Sequence, residues 1–291
     1  MINKSRKAIL YAILAAILYA FSSPISKLLL DKIPPTMLAS LLYLGAGMGL
    51  LVVGLLQKTT NREKNELPLT KKDLPYTIAM IVLDIAAPIF LMIGLTKTSA
   101  ANAALLNNFE IVATAIIAIA MFKERISKRL WFAILLVTIA STLISVDRIN
   151  SLSFSAGSLF VLLACVCWGF ENNCTRMLSA KNPLHIVVIK GLFSGTGSLI
   201  IAILIGEKVT DIVYMLIALC LGFVSYGLSI FFYIYAQRDL GAAKTSTYYA
   251  IAPFIGAFIA LIIFNEIPTI LFVIAFLIMI VGVYFATIDR V

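Results

Sequence analysis

Apolar residues along this chain come in long runs that charge or proline interrupts at nearly regular intervals. Ten such runs can be drawn, over 8–30, 35–56, 74–95, 98–122, 130–146, 156–178, 183–205, 212–236, 242–264 and 268–288. At 1.5 Å of rise per residue, a hydrocarbon core of about 30 Å needs ~20 such residues, so the pattern predicts ten transmembrane helices. Connections are short except 57–73 (QKTTNREKNELPLTKKD), which is polar enough for a solvated loop and too short for a domain. The expected fold is therefore an all-α membrane protein.

Composition sharpens that picture. Of 291 residues 62% are apolar and 13% charged, whereas soluble domains run at roughly 45–50% and about 25%. The formal charge of +9 does not point to nucleic acid, because the basic residues lie in the short segments between apolar runs. With the N-terminus inside, seventeen of the 23 Lys and Arg fall on the cytoplasmic side, five (Lys27, Lys32, Lys97, Arg148 and Lys208) fall outside, and Lys190 lies within a helix. By the positive-inside rule both termini are expected in the cytoplasm, with the protein in the cytoplasmic (inner) membrane. Cys165, Cys167, Cys174 and Cys220 sit inside apolar runs without CxxC spacing or a histidine cluster, so neither a disulfide framework nor a metal site is indicated. Lys4, Arg6 and Lys7 ahead of an apolar run resemble a signal peptide, but the run lacks a convincing cleavage site and is read as a retained first helix.

Two internal alignments stand out. At an offset of 149 residues Tyr19-Ala20-Phe21 lies over Trp168-Gly169-Phe170, Lys27 over Arg176, Lys32 over Lys181 and Pro34 over Pro183. At an offset of 142, Ala100-Ala101 lies over Ala242-Ala243, Phe122 over Phe264, Glu124 over Glu266 and Ser127 over Thr269. The longer 57–73 loop accounts for the seven-residue shift. Residues 1–149 and 150–291 are thus expected to be two five-helix repeats, and an odd number of spans per repeat makes them inverted.

The fourth-helix region reads SAANAALLNNFEIVATAIIAIAMFKERIS and the ninth LGAAKTSTYYAIAPFIGAFIALIIFNEIPT, each entered by an alanine pair and left by an apolar-x-Glu. In these features the sequence resembles the ten-helix drug/metabolite transporter superfamily, EamA type, over nearly the whole chain, with WGFENNCTR at 168–176 and IKGLFSG at 189–195 suggesting a subgroup. The resemblance implies alternating access around a central cavity lined chiefly by helices 1, 3, 4, 6, 8 and 9. It implies no particular substrate.

Ionisable groups inside hydrocarbon cost about 2.5–3.5 kcal/mol each even on insertion scales, so each needs a partner or a wet cavity. Asp84, Glu110, Glu171 and Lys190 are the four. Glu171 and Lys190 lie at equal depth on consecutive antiparallel helices and are expected to pair, either as a lock between helices or as part of a binding site. Glu110, beside Asn107 and Asn108, shares its depth with no basic residue of the first half and can bind and release a proton. Asp84 is comparable, because Pro88 frees a helical carbonyl one turn back.

Asn172 and Asn173 beside Glu171, with Pro24 at the repeat-related position of Asn173, place hydrogen-bonding groups at matching points of helices 1 and 6; interhelical amide bonding is the plainer reading of each. Pro253 is a hinge or a packing kink. Of the aromatic residues Tyr19, Phe21, Trp168, Phe170, Tyr226, Phe231, Tyr248 and Tyr249, the repeat-related Tyr19 and Trp168 and also Tyr248 are substrate-contact candidates, against core packing as the alternative. Gly45/Gly49 and Gly191/Gly195 are small-residue pairs that let helices approach closely. Glu124 and Glu266, at repeat-related helix exits, are structural or gating residues, with Ser127 and Thr269 suited to cap the next helix.

No Walker loop, HExxH, nucleophile elbow or dinucleotide fingerprint occurs, so neither an ATP-driven pump nor an enzyme has its chemistry here, and no cofactor is called for. The leading expectation is a secondary transporter whose partners are a small-molecule substrate, protons and the lipid bilayer, with a homodimer left open. A facilitator or exchanger without proton coupling, in which the acids bind a cationic or amine-bearing substrate, is the alternative, and a membrane receptor or assembly factor that moves nothing is the third reading.

Overall fold

The computed structural model describes residues 2–58, 67–122, 127–148, 153–240, 245 and 248–288. The first span is α1 (Ile2–Ala20) and α2 (Ser22–Leu29), and the second is α3 (Pro35–Lys58). The third is α4 (Leu74–Lys97), the fourth α5 (Ala100–Leu106) with α6 (Phe109–Phe122), and the fifth α7 (Lys128–Ser145). In the second half α8 (Ala156–Leu178) and α9 (Pro183–Leu204) are single helices. The eighth span runs from α10 (Ile212–Leu221) through a π-helical segment, Gly222–Leu228, into α11 (Ser229–Leu240); α12 (Ala252–Ile263) and α13 (Ile270–Ile288) complete the chain. Seven of these runs are long and apolar enough to cross a membrane, and 131–143, 252–263 and 270–285 are shorter apolar helices. A two-stranded antiparallel ribbon, β1 (Val146–Arg148) and β2 (Ser153–Phe154), joins the halves, a small departure from the all-helical expectation.

Four of the ten expected helices are thus irregular, and proline accounts for part of this. Pro24 has no N–H for the carbonyl of Ala20 and crowds it, so α1 stops there and Pro24 sits in the first turn of α2, where a missing donor costs little. Pro253 does the same at the start of α12, after the turn at Ala250 and Ile251. Pro88 is different: α4 runs through it unbroken, and the carbonyl it leaves without a donor is that of Asp84. In the fourth span the hydrogen bonding tightens from Asn107 N–H→Ala103 C=O to Glu110 N–H→Asn107 C=O, an i→i−3 pattern that separates α5 from α6. At the 142-residue offset Asn108 falls on Ala250, so the irregularities of the fourth and ninth spans fall at matching positions of that alignment.

Between the halves α1 packs along α11, α3 along α9, α4 along α8, α5 along α12 and α7 along α13. Exchanging the halves turns the α4·α8 pair into the α1·α11 pair and returns each of the others to itself, so the pairing of elements reads the same from either half. At its centre α3 and α9 meet through glycine: a Cβ on Gly47 would stand 2.5 Å from the nitrogen of Leu192, and one on Gly191 would fall against the nitrogen of Gly47. Gly45 faces the Leu219 backbone of the eighth span in the same way, and Gly49 faces the ring of Phe223. The perimeter is apolar, with Leu204 79% and Ile270 80% exposed. Such a surface suits lipid and not water.

The two ends of the bundle are tied differently. At one, Lys27 donates to the carbonyls of Leu95 and Thr98 at the end of α4, and Glu207 accepts the Met37 N–H of α3 at 2.7 Å. At the other, Lys181 pairs with Asp73 at 3.0 Å and donates to Pro68, while Arg238 donates to the Lys181 carbonyl. Ser127 and Thr269 do cap the following helices through Arg129 and Phe272 N–H groups. Glu266 lies within electrostatic reach of Lys27, and Glu124 is outside the described residues.

Gly191→Ala is expected to destabilise the fold by roughly 1–3 kcal/mol, because backbone cannot yield as a flexible side chain does. Thermal unfolding of the detergent-solubilised protein checks this against Leu204→Ala, a lipid-facing change that should leave the midpoint in place.

Candidate functional site

Helices α1, α3, α6, α8, α9 and α11, with the π segment and the turn before α12, line a central cavity of about 600 Å³ counted together with the open space at its mouth. Its lining follows α8 from Trp168 to Thr175 and the eighth span from Tyr226 to Gln237. The cavity therefore extends from mid-depth toward the end of the bundle that carries Arg176, Lys181 and Arg238, and away from the end closed by Lys27 and Glu207.

Beside the cavity three ionisable groups from three helices meet. Lys190 Nζ is 2.9 Å from Glu171 Oε1 and 3.1 Å from Asp84 Oδ2, and all three side chains are buried. Lys190 is seven residues from the start of α9 and Glu171 seven from the end of α8, which is the matched depth that the sequence predicts for a pair. The third member was not legible as a partner. Asp84 lies ten residues into α4, deeper than Lys190, and the four-carbon lysine stem closes the gap. Asp84 does not line the cavity: it stands behind Tyr43, whose hydroxyl donates to Asp84 Oδ1 at 2.8 Å. Thr175 donates to Glu171, so each carboxylate has a hydrogen-bond donor besides the ammonium. Burying these charges is tolerable only because the positive one is shared.

Glu110 stands apart from that cluster. It lies in the first turn of α6, where the start of the helix favours a carboxylate, and its Oε1 accepts the Asn172 amide at 2.6 Å. Asn172 also reaches Thr114 at 3.3 Å. Asn173 points elsewhere, to the carbonyls of Thr114 and Gly169, which is the interhelical amide reading. Asn107 and Asn108 are buried outside the cavity lining; Cys165 approaches the freed Leu106 carbonyl at 3.6 Å, and the Asn108 amide has no hydrogen-bond partner among the described residues.

Aromatic rings form the remaining wall. Tyr19 meets Tyr226 edge-on at 5.8 Å and Tyr249 at 5.7 Å; Tyr43 meets Tyr226 at 5.3 Å, and Tyr233 meets Tyr249 at 4.8 Å. Trp168 lines the same space and donates weakly to the Tyr43 hydroxyl at 3.4 Å. Of the ring candidates, Tyr19 and Trp168 line the cavity, whereas Tyr248 does not and its neighbour Tyr249 does. The turn at Ala250 and Ile251, which the run 242–264 hides, separates that tyrosine pair from α12. Tyr43, Tyr233 and Gln237 were missed by the sequence reading; a phenol in the otherwise apolar stretch LLYLG is the signal that could have found the first. Among the described residues no group of three His, Cys, Asp or Glu side chains could hold a metal ion.

The profile of the EamA-like transporter family matches the chain twice, over residues 6–146 and 155–288. An uncharacterized transporter of Methanothermobacter thermautotrophicus is 24% identical, covering 94% of this chain and 83% of that protein. The uncharacterized transporter YyaM of Bacillus subtilis is 26% identical over 64% of each chain. A protein crystal structure superposes with a TM-score of 0.70 at 17% identity, covering 96% of this chain and 95% of its own, which extends the likeness to the fold.

Lys190→Met is expected to destabilise the protein by about 3–5 kcal/mol, because two buried carboxylates then face one another without a cation. Adding Asp84→Asn should restore part of the loss in thermal unfolding. A double variant no more stable than Lys190→Met would show that the lysine is not holding the two acids together.

Proposed function

Because the chain belongs to the EamA-like transporter family, we propose that it is a secondary active transporter exporting a small metabolite across the cytoplasmic membrane by alternating access, with protons as the coupling ion. The observation that carries this reading is Glu110. Among the described residues it is the cavity-lining carboxylate that touches no cation, since Lys190 is taken by Asp84 and Glu171. A mid-depth carboxylate held by a single amide is free to exchange a proton with the cavity.

The two EamA-like units, 1–149 and 150–291, are inverted repeats that rock about the glycine seam between α3 and α9 in this reading. Both termini and the Arg176–Lys181–Arg238 end lie in the cytoplasm by the positive-inside rule, so the conformation described here is open inward and closed outward. The repeat-related irregularities of the fourth and ninth spans support a midplane site, where interrupted helices recur in carriers built from duplicated halves. Asp84 and Glu171, each bonded to Lys190, serve the scaffold of the site and not the coupling.

In proteoliposomes, counterflow of radiolabelled amino acids, nucleosides, sugars and amines should identify at least one exchanged class. A pH gradient should then drive its accumulation, and Glu110→Gln should abolish that accumulation while the protein remains folded. Accumulation indifferent both to the gradient and to Glu110→Gln would refute proton coupling, and absence of counterflow for every class would refute transport of these solutes.

A further inference from the structure

We infer that the central cavity selects an organic cation, a protonated amine carried on a flat or compact apolar body. The inference rests on the cavity being the transport site and adds what that site recognises. Charge comes first. Glu110 and Glu171 line the cavity with Asp84 behind them, while among the described lining residues Lys190 is the one cation, and it is bonded to two of the three carboxylates. With every group ionised the site therefore carries two excess negative charges. A carboxylate or phosphate substrate would enter against that field with no arginine or histidine among the described lining residues to receive it.

The walls give the second argument. Tyr19 and Tyr249, whose rings lie 5.7 Å apart, line the same cavity as Glu110, so aromatic faces and a carboxylate address one volume. Tyr43, Trp168, Tyr226 and Tyr233 extend the same wall. Ring faces are negative, and an ammonium against several of them with a carboxylate alongside is held by two attractions that a neutral isostere lacks. An inorganic cation would gain less from such walls, and among the described residues the acids form no metal-ligating group.

The third argument is a spare acceptor. The side-chain oxygen of Gln237 on α11 is buried, belongs to a lining residue and has no hydrogen-bond partner among the described residues. A buried orphan of this kind is costly unless a ligand supplies the donor, and an ammonium has N–H groups to give. Glu110 comes from the first half and Gln237 from the second, so one amine reaching both would bridge the two units.

The test uses the full chain in lipid nanodiscs with Trp131→Phe, since the chain has two tryptophans, Trp131 is 54% exposed on the perimeter and Trp168 lines the cavity. Trp168 emission is titrated with phenethylamine and cyclohexylamine, and with the alcohol and the carboxylate of the same body, and the same solutes are assayed for counterflow. At least one amine should alter the emission saturably and bind roughly tenfold or more tighter than its alcohol and its acid. Glu110→Gln, which keeps an acceptor for Asn172, should remove that preference without shifting thermal unfolding of the unliganded protein, and Tyr249→Leu should weaken it. Equal binding of amine and alcohol, or an amine preference that survives Glu110→Gln, overturns the inference. Counterflow of neutral or anionic solutes without amine binding overturns it and leaves transport standing, whereas Glu110-dependent amine binding without counterflow of any solute does the reverse. Silence in both assays overturns both.

Discussion

A charge buried in hydrocarbon cannot stand alone, and Lys190 is where this protein meets that constraint. Its ammonium is shared between Glu171 on the neighbouring helix and Asp84 in the other half. One long side chain therefore fixes the relative depth of α4, α8 and α9. Tyr43 on α3 is drawn in through Asp84, and Trp168 through Tyr43, so the polar centre reaches a fourth helix and one wall of the cavity. Because the lysine answers two acids, Glu110 is left as a carboxylate with an amide for company and no cation.

The scaffold and the chemistry follow different symmetries. The pairing of helices is the same when the halves are exchanged, and Gly47 and Gly191 bring the backbones of α3 and α9 into direct contact at that seam. The charges do not map. Glu171 corresponds to Ser22, Lys190 to Leu41 and Glu110 to Ala252 across the repeat. Ser22 nevertheless reaches the cavity wall by donating to Tyr226, so the position is polar in both halves and charged in one. The two halves are thus alike in how their helices pair, whereas the buried charges set them apart.

Much of this was legible before any coordinates. Continuous apolar runs report span number directly, because hydrocarbon allows few other ways of burying a backbone, and equal distance from helix ends brought Glu171 and Lys190 together. Asp84 was singled out but not as a partner of Lys190, because depth counted along a helix locates a Cα and not the tip of a lysine. The turns at Asn107–Asn108 and Ala250–Ile251 were hidden because hydropathy is blind to one lost hydrogen bond, although the asparagine pair marked the first. Tyr248 was chosen and Tyr249 lines the cavity: a turn sets which of two adjacent rings faces inward, and periodicity read through an unbroken helix cannot.

The closed end is fastened by helix termini. Lys27 sits on the last carbonyls of α4 and Glu207 on the first amide of α3, each a single charged side chain satisfying backbone groups that the helix leaves orphaned. Water can take over either role as soon as it arrives. Lys27 also lies within electrostatic reach of Asp31 and Glu266, so that end is held by backbone acceptors and by carboxylates together, and dissolved salt weakens only the second kind of tie.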